Sequence, residues 1–222
     1  MFLFYLKSLM AVFPLFLKGL WVTAGISGLS LIAATILGFI AGFGRTSRIK
    51  LLRYAIGFYV DLVRGTPFLV QIFVIFFILP EFGINLEPFP AAIIALTIMG
   101  GAFICEIVAA GIDAVPKGQQ EAAKSTGLSR YQQIRYVILP QAMRTILPPL
   151  VGQYVLLVKD SSIVSVIGVM DLTRVGWLTV QRIPEGMLVF GLVGIMYFIV
   201  CFPLIQLAAR LEKQMTVGEY RL

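Results

Sequence analysis

Histidine is missing from this chain of 222 residues, and cysteine occurs only twice. The first absence excludes Ser-His-Asp and Cys-His nucleophilic catalysis, histidine-ligated metals and the commonest proton relay. The second leaves Cys105 and Cys201 in separate apolar stretches, without the spacing of a disulfide framework or a metal site, so they read as packing residues. Charge is scarce too, at 13% of residues, and no polar tract is long enough to fold as a second domain. One domain, 1–222, is expected, neither an enzyme nor the holder of a cofactor or metal. What is abundant is apolar. Hydrophobic residues make up 59% of the chain and mean hydropathy is +0.94, beyond the roughly half-apolar make-up of soluble domains. The chain belongs in a bilayer.

About 20 helical residues cross ~30 Å of hydrocarbon, and five stretches qualify: 19–42, 54–79, 91–112, 147–169 and 187–209. Residues 1–18, interrupted by Lys7 and Pro14, are expected to form an amphipathic helix lying on the lipid interface. No cleavage-site pattern follows, so the first span is read as an anchor and not as a removable signal. The basic residues sort by segment. Arg45, Arg48, Lys50 and Arg53 fill one connection; Lys117, Lys124, Arg130, Arg135 and Arg144 fall within 113–146; Arg210, Lys213 and Arg221 close the chain. The positive-inside rule makes these cytoplasmic. Residues 80–90, with Glu81 and Glu87 but no lysine or arginine, are then outside, as is a loop over 171–186. The N-terminus is expected outside and the C-terminus inside. The surplus of +7 is therefore a topological signal, and a nucleic-acid partner is not expected.

Between the third and fourth spans lies a polar segment with helix signals. Pro116 stops the preceding helix, and Glu121-Ala122-Ala123 sits in a run free of helix breakers. Gly127 offers a C-terminal cap, and Ser129 with Gln132 fits a capping box opening a second helix, which Pro140 is expected to end. The product is a helical elbow able to sit in a cleft of a soluble protein and transmit a rigid-body push. Gly118 to Ser125 comes one residue short of a phosphate-binding loop, with Ala123 where the second glycine belongs. An alanine-rich, helical context argues that this is coincidence.

Several charges fall inside predicted spans: Asp61 and Arg64 in the second, Glu106 in the third, Lys159 and Asp160 in the fourth. At ~2.5–3.5 kcal/mol each on the lower insertion scale, such charges face a pore, a partner helix or one another. Asp61 and Arg64 stand at i and i+3 and can pair within one helix. Glu106 has no local partner, which leaves a salt bridge to Arg64 and a ligand site both open. Arg64-Gly65-Thr66-Pro67 should kink the second span. Together with Ser161, these residues form the candidate substrate pathway: Arg64, Gly65, Thr66, Pro67, Glu106, Lys159, Asp160 and Ser161. Gly38, Gly42 and the pair Gly100-Gly101 permit close helix approach. No internal repeat is visible.

The order Glu121-Ala122-Ala123, three residues, Gly127, nine residues, Val137-Ile138-Leu139-Pro140 resembles the cytoplasmic EAA loop of bacterial ABC importer permeases, departing only at Val137, where the family has isoleucine. Tyr59 to Pro67, Glu106 to Ile112 and Lys159 to Gly168 are similar to the polar amino-acid branch, which takes up glutamine, histidine or arginine. The resemblance implies an all-α membrane protein of the type I importer class in the bacterial inner membrane, working by alternating access. Its implied partners are a cytoplasmic ABC ATPase dimer that holds the ATP and Mg, a second permease subunit, identical or related, and an extracytoplasmic amino-acid-binding protein. It implies coupling to the ATPase through Glu121, Ala122, Ala123, Gly127, Leu139 and Pro140. The competing readings are an ion-coupled carrier or channel, and a membrane scaffold with no transport path.

Overall fold

The computed structural model describes the backbone of residues 2–219 and the side chains of residue 5 and residues 7–214. Arg221, counted with the C-terminal basic residues, lies outside the described residues. Among those described the fold is entirely helical: α1 (Phe2–Arg45), α2 (Lys50–Arg64), α3 (Phe68–Phe73), α4 (Pro88–Asp113), α5 (Lys117–Ser125), α6 (Arg130–Gln132), α7 (Leu139–Asp160), α8 (Leu172–Val180) and α9 (Gly186–Glu219). Four helical runs are long and apolar enough to cross a membrane, or five if α2 and the α3 segment form one broken span.

The helix ends differ from the sequence expectation at three places. α1 is continuous through residue 18, so the segment expected to form a separate helix is its first part, and Pro14 is accommodated inside it. At Gly65-Thr66-Pro67 the chain leaves the helix altogether, more than a kink. Proline lacks the N–H the helix needs and disfavours helical backbone in the residue before it. Conversely, Leu139-Pro140 ends nothing. A π-helical stretch, Gln133–Ile138, precedes it, and the widened turn absorbs the proline so that helix continues through α7 to Asp160.

The chain folds as two compact units. The first comprises the residues up to Ile32, Thr66–Thr97 and Val155–Pro203; the second, Ala33–Gly65, Ile98–Tyr154 and the residues from Leu204 on. The core of the first is a cluster of Leu9, Phe16, Leu172, Val175, Val189, Val193 and Met196. Gly19 makes room for it, because a Cβ there would stand 3.0 Å from the Leu172 Cα and 2.9 Å from Val175 Cγ2. Residues 171–186, expected as an outer loop, instead begin with the helix α8, whose Asp171 cap is fully buried. Its carboxylate accepts from Thr173 N at 3.1 Å and Arg174 N at 3.0 Å. Burial pushes this carboxyl above the usual range, opposed by those bonds and by Thr173 and Tyr197 hydroxyls. Thr23 on α1 accepts from Leu172 N at 3.0 Å, fixing the start of α8.

In the second unit α1 and α4 meet through glycine. A Cβ on Gly38 would lie 2.5 Å from Ile104, and one on Gly42 2.6 Å from Val108. The four-residue step on both helices shows one ridge seated along the other. Tyr59 of α2 ties in by donating to the Ile98 carbonyl at 2.6 Å.

Candidate functional site

The elbow is built locally. α5 stops at Ser125; Thr126 caps it, and Gly127 follows with φ +77°, a left-handed backbone that glycine adopts without penalty. Ser129 then forms the expected capping box, its N–H donating to Gln132 Oε1 at 2.8 Å and its Oγ accepting from Gln132 N at 3.4 Å. Gln133 Nε2 adds a bond to the Leu128 carbonyl at 2.7 Å. Of the coupling residues, Ala123 is buried, Leu139 half-buried, and Glu121, Ala122, Gly127 and Pro140 exposed. Tyr131 and Tyr136 stand 73% and 65% exposed, large aromatic surfaces presented outward from the second arm. Gly118 to Ser125 lies within α5, which leaves no loop to cradle a phosphate.

The intramembrane charges divide between the units. In the second, Glu106 is clasped by two arginines: Arg64 Nη1 reaches Oε2 at 3.0 Å and Arg45 Nε approaches Oε1 at 2.9 Å. The Arg45 contact is close without being a well-aligned hydrogen bond. Arg64 also lies over the Phe103 ring, 5.5 Å from its centroid. It turns to Glu106, and no ion pair with Asp61 forms. Arg45 is absent from the sequence-derived site because its position at the end of α1 groups it with the cytoplasmic charges. The usable signal was direction: helical side chains lean toward the N-terminus, so a long one reaches back into its span.

In the first unit, Thr66 and Pro67 open α3, and Gln71 Nε2 braces the break by donating to the Thr66 carbonyl and Oγ1, both at 3.0 Å. Lys159 is exposed and Asp160 half-buried at the end of α7, and neither forms an ion pair among the described residues. Ser161 is buried, donates to the Val158 carbonyl at 2.7 Å and accepts from Ser27 at 3.2 Å. Gly168, with φ +92°, ends the 3-10 turn Ser161–Ile167, which opens with Ser161.

The elbow and the membrane-length helices around it are shared with known transport proteins. Residues 34–217 match the model of the binding-protein-dependent transport system inner membrane component. The chain belongs to this family of ABC importer permeases. The glutamine transport system permease GlnP of Escherichia coli K12 is 36% identical over 206 residues, covering 92% of this chain and 94% of the relative. The L-cystine permease TcyB of Bacillus subtilis is 36% identical over 203 residues, covering 91% and 87%. A crystal structure of an amino acid ABC transporter with histidines superposes with TM-score 0.86 at 35% identity over 94% of this chain and 97% of that one. The methionine transporter MetNI, inward facing, shares the fold at 22% identity and TM-score 0.77. A permease of this family is a multi-pass inner-membrane subunit with no ATPase activity of its own, hydrolysis belonging to a separate subunit.

Proposed function

We propose that this permease carries polar amino acids across the inner membrane by alternating access, driven by an ABC ATPase dimer docked on the elbow. The observation that carries the reading is the capped, outward-facing elbow with its EAA order, in a chain 36% identical to a glutamine permease over nearly its whole length. A second permease subunit, identical or related, completes the path, and an extracytoplasmic binding protein delivers the amino acid. ATP and Mg are held by the ATPase. The elbow and C-terminus face the cytoplasm and the N-terminus faces out.

Within the path, Lys159 and Asp160 are the charges left to answer an amino acid's carboxylate and ammonium. Thr66 and Pro67 contribute the irregular backbone that membrane proteins keep for water-lined or protein-covered places. Glu106, already engaged by Arg45 and Arg64, positions Arg64 and Gly65 at the end of α2. The test is reconstitution with the ATPase and binding protein, asking which of a panel of polar amino acids stimulates hydrolysis. Stimulation by one or a few supports the reading; a complex that retains no ATPase contradicts it and favours an ion-coupled carrier or a scaffold.

A further inference from the structure

A cavity of about 380 Å³, within the range of small-molecule sites, lies between α1 and α8 of the first unit. Its wall is apolar, with Leu15 and Val22 from α1 and Leu178 and Ile183 from α8 and the turn after it. Two cations, Lys18 and Arg182, line it as well, both exposed. Neither forms a salt bridge with a described carboxylate. Lys18 is the last charge before the uncharged run 19–44, and Arg182 and Glu185 are the last before the uncharged run 186–209. Each run rises ~36–39 Å as helix, longer than the ~30 Å hydrocarbon layer, which sets these charges near its edge. The tryptophans agree. The chain has only two, Trp21 and Trp177, one on each of the helices forming the cavity, 80% and 48% exposed. Exposed tryptophan at such a position marks the headgroup level.

An apolar cavity open at headgroup depth and flanked by unpaired cations has the chemistry of an anionic amphiphile, and the membrane itself supplies one. We propose that it binds an anionic phospholipid, with Lys18 and Arg182 holding the phosphate and the apolar wall an acyl chain. This site is independent of the transported substrate and of the elbow.

The test uses the full-length permease purified with its ATPase, delipidated in detergent, and titrated with phosphatidylglycerol, phosphatidylcholine or glycerol 3-phosphate under native mass spectrometry. Phosphatidylglycerol should bind at least tenfold more tightly than phosphatidylcholine. The Lys18→Gln/Arg182→Gln variant, altered only at exposed side chains, should lose that preference, and Leu178→Trp, which fills the cavity, should lose binding altogether. Equal binding of the two lipids, a preference that survives the double change, or displacement of phosphatidylglycerol by glycerol 3-phosphate would overturn the proposal. So would a photo-crosslinker at Leu15 that captures a second copy of the chain in place of lipid.

Discussion

Glu106 holds two arginines with one carboxylate, at 2.9 and 3.0 Å, and its side chain is 31% exposed. The cluster carries a net positive charge that half-access to solvent tempers but does not cancel. Removing the carboxylate by Glu106→Gln keeps size and some hydrogen bonding but leaves Arg45 and Arg64 facing each other. The expected loss is ~1.5–3 kcal/mol of stability, the worth of a charge-assisted bond, read as a lowered thermal midpoint of the purified protein. Adding Arg64→Gln should restore part of that midpoint, together with transport, because the double change returns the cluster to its original net charge. A double variant that is stable yet transports nothing would move Glu106 into direct contact with substrate. Neighbouring Asp61 illustrates how sequence spacing misleads: the i, i+3 geometry permits a pair with Arg64, yet a carboxylate on another helix outcompetes it, which no local pattern records.

At the scale of elements, contact between α1 and α4 depends on missing side chains. Gly38→Leu must push Ile104 from a 2.5 Å approach, and overpacking of this kind costs ~1–3 kcal/mol. Gly118→Ala on α5 meets nothing within 4 Å and replaces a poor helix former by the best, so stability should hold or rise. Thermal unfolding of the two variants side by side checks this; equal midpoints would remove the close approach from the account. Helix breaks were legible only where local chemistry stands alone. Gly65-Thr66-Pro67 breaks the helix as its residues require. Pro140 does not, because the preceding π turn offers an alternative that single-residue rules do not anticipate. The start of α8 carried its own signal, Asp171 ahead of an apolar run. Its burial against Thr23 and Tyr197 comes from packing over long sequence distances, which local sequence signals do not carry.

For the whole molecule, the proposed orientation follows from where lysine and arginine fall. Asn85 and Ser129 are exposed, while the native thiols Cys105 and Cys201 are buried and give little background. In intact cells a cysteine at Asn85 should react with an impermeant maleimide, and one at Ser129 should react only after the membrane is opened. The reverse pattern would invert the topology.

If the elbow transmits ATP hydrolysis to amino-acid movement, disturbing its cap at Gly127 should separate the two. Its backbone lies at φ +77° with nothing within 4 Å of the point where a Cβ would stand, so a substitution there strains only the backbone, by ~1–2 kcal/mol for valine. Asparagine tolerates that conformation far better. The decisive measurement is ATP-dependent amino-acid uptake into proteoliposomes holding the permease, its ATPase and its binding protein. Wild type and Gly127→Asn should take up amino acid, while Gly127→Val should assemble normally, retain basal hydrolysis and lose most uptake. Full uptake by Gly127→Val, with hydrolysis still stimulated by substrate, would contradict the account.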